Sequence, residues 1–127
     1  MNHKLPRIAV LLTVYNGAKY LHEQIDSINK QSDVDIDIFI NIDPSSDGSE
    51  EIVENFVSLR ENIYLVQKDI KYGSAAKNFF NLIKNFNSLS YDYISLADQD
   101  DIWLPNKTIK AINLLKKNCT SGYSSNV

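Results

Sequence analysis

An open, mainly parallel α/β sheet of about four strands flanked by helices is the fold class this sequence predicts. Three observations predict it. Short apolar runs recur along the chain, apolar stripes at helical spacing fall between them, and a polar or acidic cluster follows the first, second and fourth runs directly.

Ile8 to Val14 is a short apolar run, the pattern of a strand buried on both faces. Tyr15-Asn16-Gly17 is a turn signal in which Asn16-Gly17 supplies positive φ, and from Ala18 the residues Leu21, Ile25 and Ile28 form a helical stripe. A second strand, Ile36 to Ile42, ends at Asp43-Pro44-Ser45-Ser46. Asp47-Gly48-Ser49-Glu50 has the acceptor-x-x-Glu spacing of a capping box and opens a helix through Ile52, Val53, Phe56 and Val57. Ile63 to Gln67 reads as a third strand. After a loop holding Lys71-Tyr72-Gly73-Ser74, the residues Phe79, Ile83 and Phe86 mark a third helix, and Tyr91 to Ala97 a fourth strand. Pro105 suits the first turn of a last helix through Ile109, Ile112 and Leu115. Residues 1–118 are thus expected to form one domain, and the small, polar residues 119–127 a poorly ordered tail.

Length and composition narrow the function. At 127 residues the chain can bury one core, and its charged share of 23% is ordinary for a globular protein. The net charge is −3 and the 13 basic residues are dispersed, which argues against a nucleic-acid groove. Cys119 stands alone, so no intramolecular disulfide forms and a reducing compartment is expected. The apolar stretch from Ile8 to Leu12 is too short for a transmembrane segment or a signal-peptide core. A cytoplasmic location follows as the expectation, either free or peripheral at the inner face of the membrane. His3 and His22 lack metal-ligand partners at helical or loop spacing and read as bystanders.

The chemistry concentrates in Asp98-Gln99-Asp100-Asp101, where three carboxylates fall within four residues. Like charges a few ångströms apart repel by about 4 kcal/mol at an effective dielectric near 20. A hard divalent cation, Mg²⁺ or Mn²⁺, relieves that repulsion and takes its remaining ligands from substrate phosphates and water. A solvated acidic turn before a helix N-terminus serves the tetrad equally well when it is considered alone. Thr13, Tyr15 and Asn16 offer backbone and hydroxyl contacts to a diphosphate and an aromatic face to a base, or they form a plain turn. Asp43 can accept the imide N–H of a pyrimidine, because an ionised carboxylate only accepts, or it ends a strand before Pro44. Lys77, in the first turn of the third helix, suits a phosphate or is a surface lysine. Trp103 lines a sugar pocket or anchors the core. Thr13 to Asn16, Asp43 and Asp98 to Asp101 each lie immediately after a strand, and in open parallel sheets ligands bind beyond the strands' carboxyl ends.

Taken together, Ile8 to Gly17, Ile42 to Ser49 and Leu96 to Trp103 resemble the nucleotide-sugar half of a family 2 inverting glycosyltransferase, from about Ile8 to Leu115. Asp-Gln-Asp-Asp-Ile-Trp, with Gly73 to Phe79 before it, is most similar to bacterial members that build surface polysaccharides, rhamnosyltransferase-like ones included. The resemblance implies a Rossmann-like domain of GT-A type, here truncated. Its donor is a UDP- or dTDP-linked sugar and its acceptor a saccharide or lipid-linked saccharide. It implies that Thr13, Tyr15 and Asp43 hold the nucleoside, with Asp43 at the pyrimidine. Asn16, Lys77, Asp98 and Gln99 complete the donor set, Lys77 standing where the family often has Arg. Asp98 and Asp100 match the Asp-x-Asp motif, Asp100 binding the metal directly and Asp98 lying between ribose and metal, while Asp101 helps through a water. Pro44 replaces a second acid often found beside Asp43. The general base lies downstream in the family, in a half this chain almost entirely lacks, so none is assigned. A donor-binding or assembly module without transfer activity is therefore the alternative, with association through exposed apolar surface. A receiver-type phosphotransfer domain fits less well, because the acids follow the fourth strand instead of the first.

Overall fold

From Ile8 to Val14 every residue is buried, and this stretch is the centre of the molecule. A computed structural model describes residues 4–68, 70–86, 88–98 and 101–118. The elements run β1 (Arg7–Val14), α1 (Ala18–Asn29), β2 (Asp35–Ile42), α2 (Ser49–Leu59), β3 (Ile63–Gln67), α3 (Ala75–Lys84), β4 (Tyr93–Ala97) and α4 (Lys107–Asn118), with a short 3₁₀ turn at Ser88–Ser90. The four strands pair in parallel in the order β3-β2-β1-β4. Leu12, for example, lies between Ile40 and Ala97.

Side-chain alternation assigns the two faces of the sheet. Ile8, Val10, Leu12 and Val14 of β1 join Ile36, Ile38, Ile40 and Ile42 of β2 in one core with Leu21, Ile25 and Ile28 of α1, Val53 and Phe56 of α2, Trp103, and Ile112 of α4. Trp103 is therefore a core residue. Thr13, Asn41 and Asp43 belong to the opposite face by the same alternation, and α3 packs there against β1 and β2. The chain places β2 and β3 on one side of β1 and β4 on the other, so a switch point opens between β1 and β4.

The Asn16-Gly17 turn takes its positive φ at Asn16 (46°), while Gly17 caps α1 at φ −106°. Three local readings change. No reciprocal capping box forms at α2. Gly48, at φ 91°, is the N-cap, Asp47 Oδ1 accepts from Ser49 N, and Glu50 reaches back to Ser45 N. Helix α3 buries Asn78 and Leu82, while Ile83 is 48% exposed. Phe86 lies beyond the end of α3 and packs edge-on to Phe39 at 4.9 Å. Strand β4 starts at Tyr93, because Tyr91 turns onto the same aromatic cluster and donates its hydroxyl to Asp37 Oδ2 at 2.6 Å. Burial and that hydrogen bond push the Tyr91 hydroxyl well above its usual 10.0. Phe80, Leu89, Ile94 and Leu96 remain exposed.

Candidate functional site

A cavity of about 490 Å³ opens at the carboxyl ends of β1, β2 and β4, where the switch-point rule locates ligands. Thr13, Val14 and Tyr15 supply one wall, Asp43 the second, Asp98 the third, and Lys71, Gly73, Ser74, Ala75 and Asn78 the fourth. The structure thus brings together Thr13, Tyr15, Asp43 and Asp98 from three separate strand ends. Thr13 is buried, and Tyr15 is 54% exposed on the cavity wall.

Asp43 is 6% exposed, and its carboxylate is held by the chain itself. Oδ2 accepts from Tyr72 N and Gly73 N at 3.3 Å each, and Oδ1 from Asn78 Nδ2 at 3.1 Å. Because a carboxylate only accepts, this pairing fixes which end of the Asn78 amide faces Asp43. Gly73 sits at φ 81°, a conformation that a side chain would strain, and it lets consecutive N–H groups turn toward one oxygen. The hydroxyl of Tyr72 lies 2.9 Å from Gln67 Oε1 and from Asn81 Oδ1 and anchors the loop to β3 and α3. Burial, with the charge of Asp43, raises the pKa of that hydroxyl.

Asn16 does not line the cavity. Its N–H donates to Ser45 Oγ at 3.0 Å and its Oδ1 accepts from Ser46 N at 2.9 Å, so it ties the loop after β1 to the loop after β2. Asp47 and Ser49 continue the tie, Asp47 Oδ2 accepting from Ala18 N and Ser49 Oγ from Gly17 N. Burial pushes the Asp47 carboxyl up, but hydrogen bonds from the Ser49 hydroxyl and from backbone N–H groups outweigh it and hold it below 3.8. A depressed folded pKa gives stability that is complete above the unfolded value and is lost as the pH falls through the lowered folded value. The stability difference between wild type and Asp47→Asn should therefore close as the pH drops below 3.8 in thermal melts. A gap that persists unchanged in acid would contradict this account.

Lys77 is exposed in the first turn of α3, with its backbone N–H capped by Ser74 Oγ at 3.2 Å, and it is not among the residues lining the cavity. The lysine that lines it is Lys71. Gln99 and Asp100 lie outside the described residues. Among the described residues no group of three or more His, Cys, Asp or Glu side chains is gathered as for a metal. The donor chemistry nevertheless fits a hard cation. Asp98 is exposed on the cavity wall, and its carboxylate oxygens are of the kind such an ion takes. A diphosphate there would meet two carboxylates, Asp43 and Asp98, against one ammonium, so further positive charge is needed.

Sequence reasoning did not single out Lys71 and Asn78, which line the cavity, or Gln24, which bonds to the backbone of Asp98. Gln24 carried a signal, since it falls on the buried stripe of α1 beside Leu21, Ile25 and Ile28. It is 0% exposed, and its Nε2 donates to the backbone carbonyl of Asp98.

Comparison with known proteins agrees with the fold. Residues 9–127 match the family described as "Glycosyl transferase family 2". The chain is 44% identical over 117 residues to the dTDP-rhamnosyl transferase RfbG of Shigella flexneri, covering 91% of this chain and 40% of that protein's length. Among solved structures it is similar in fold to S. aureus TarS (TM-score 0.73, 21% identity, 89% of this chain and 20% of that one). It is also similar to the mannosyltransferase PcManGT of Pyrobaculum calidifontis in complex with GDP-Man and Mn²⁺ (TM-score 0.68, 21% identity, 88% and 33%).

Proposed function

This chain belongs to glycosyl transferase family 2, and from that premise we propose that it binds the donor of an inverting, metal-dependent sugar transfer. The donor is a UDP- or dTDP-linked sugar, and the acceptor a saccharide or lipid-linked saccharide of a surface polysaccharide. The observation that carries the reading is Asp43, buried at the switch-point cavity with three internal donors on its carboxylate. An ionised carboxylate accepts about four hydrogen bonds, so room for one more remains, on Oδ1. The imide N–H of uracil or thymine needs one such acceptor. Guanine presents two adjacent donors and would need both oxygens, one of which already holds two N–H groups. The dTDP in the name of the 44% identical relative points the same way.

In this reading Thr13 and Tyr15 flank the nucleoside, Lys71 and Lys77 add positive charge near the donor, and Asp98 and Asp100 hold Mg²⁺ or Mn²⁺. When bound, the metal neutralises charge on the departing nucleoside diphosphate. Residues of this chain bind and orient the donor so that its anomeric carbon is open to the acceptor hydroxyl. Since the chain spans 40% of the length of its rhamnosyl transferase relative, transfer itself is a proposal for the protein as a whole. The exposed Phe80, Leu89, Ile94 and Leu96 favour a second reading, a donor-binding or assembly module.

Thermal melts with UDP, dTDP and GDP, each with Mn²⁺ and with chelator, test the proposal. UDP or dTDP at a hundred times its dissociation constant should add about 2.7 kcal/mol, at roughly 4 °C per kcal/mol. The shift should shrink with chelator and be smaller for GDP. A melting curve that no nucleotide moves would sink the donor-site reading, and release of nucleoside diphosphate in the presence of a saccharide acceptor would separate transferase from binding module.

A further inference from the structure

Helix α1 carries a polar line along the side that faces the acidic segment and its continuation. Gln24 Nε2 donates to the carbonyl of Asp98. Ser27 Oγ donates to Gln24 O at 2.7 Å and accepts from Trp103 N at 3.0 Å. Gln31 Nε2 donates to Leu104 O at 2.7 Å. Gln24 and Ser27, three positions apart, share one face of α1, and Gln31 follows two residues past its end at Asn29. Two side chains of α1, with Gln31 just beyond its end, thus hold the backbone at Asp98, Trp103 and Leu104, while Asp98 lines the cavity.

Gln24 is the odd member of this line. It is 0% exposed among Leu21, Ile25 and Ile28, and its Oε1 is buried without a hydrogen-bond partner among the described residues. A buried amide with one end unused is a poor choice for stability, since an apolar side chain of the same shape fills such a place without an orphaned acceptor. The used end goes to Asp98, across 74 positions of sequence.

We propose that Gln24 is a positioning residue for the metal and diphosphate end of the site, acting through the backbone of Asp98. The inference rests on the donor-site reading above and adds a residue to it. Groups that orient ligating carboxylates matter to the metal nearly as much as the ligands do, and their loss weakens metal affinity about 10- to 100-fold. Among the described residues no hydrogen bond joins Gln24 to Asp43, which is held by Tyr72, Gly73 and Asn78. Removal of Gln24 should therefore separate the two ends of the site.

The test compares wild type with Gln24→Met, of similar shape, by calorimetric titration with uridine, with UDP in chelator, and with UDP and Mn²⁺. The variant should keep the uridine affinity of the wild type and lose the Mn²⁺-dependent gain for UDP by about tenfold or more. Equal Mn²⁺ gains in both proteins would overturn the proposal, as would parallel loss of uridine and Mn²⁺ responses, which marks a merely structural role. Wild type that binds neither uridine nor UDP overturns the donor-site reading itself. The wild-type chain gives a second reading should the variant misfold. In NMR spectra the Gln24 side-chain amide signals should move when Mg²⁺ is added to the UDP complex and stay in place with uridine, and signals indifferent to Mg²⁺ would count against the assignment.

Discussion

Replacing Asp43 by alanine should abolish UDP binding and lower the unfolding free energy by about 3 kcal/mol. Three donors converge on this carboxylate, Tyr72 N, Gly73 N and Asn78 Nδ2, and Asn78 is itself 2% exposed. Truncation leaves them without their acceptor at once. A buried donor left unpaired costs about 1–3 kcal/mol, and hydrogen bonds to a charged group stand at the upper end of the usual range. The loop from Lys71 to Ser74 would lose its tie to β2, and with it one wall of the cavity. Asp43→Asn should do less damage, because the amide retains one accepting oxygen while placing a donor against the loop N–H groups. Chemical denaturation and UDP titration of the three proteins give the comparison. A fully stable Asp43→Ala that still binds UDP would show that neither the loop nor the base depends on this group.

The second large effect is expected at Gln31. Its Oε1 accepts from Thr108 N at 3.0 Å and Thr108 Oγ1 at 2.9 Å, and its Nε2 donates to Leu104 O. One side chain thus caps the start of α4 and holds the backbone at Leu104 just ahead of it. Thr108 is 6% exposed, so water cannot readily replace the lost acceptor. Gln31→Ala should cost about 3 kcal/mol, a large part of the roughly 5–15 kcal/mol by which domains are stable. The loss should be local in hydrogen exchange, with α4 amides released before those of β1. Uniform acceleration, or melting unchanged within about 1 °C, would mean that Ile112 and Trp103 hold α4 without the polar cap.

Much of the fold was legible because its determinants are local. The run from Ile8 to Val14, the stripe of Leu21, Ile25 and Ile28, and the turn at Tyr15-Asn16-Gly17 each lie within a few residues, and each became the expected element. Boundaries failed where a long-range contact competed. Tyr91 left the fourth strand for Asp37 and Phe39, and Phe86 left the third helix for the same cluster. Thr13, Tyr15, Asp43 and Asp98 each stand at or just after a strand end in the sequence, and the structure gathers them in one cavity. Asn16 carried the same signal and went to a different use, bonding Ser45 and Ser46.

By itself, the sequence determined the alternation of strands and helices, the parallel sheet that follows from it, and the acids at strand ends. Those are properties of apolar period and turn chemistry, which act between near neighbours. The tertiary structure decided how the acids are held: Asp43 by a loop about thirty residues later, Asp98 by Gln24 from a helix 74 residues earlier, and Lys71 instead of Lys77 on the cavity wall. Such partners meet only after β1 is enclosed by β2 and β4, because hydrogen bonds between distant residues depend on the packing that brings them within reach and leave no periodic trace in the chain.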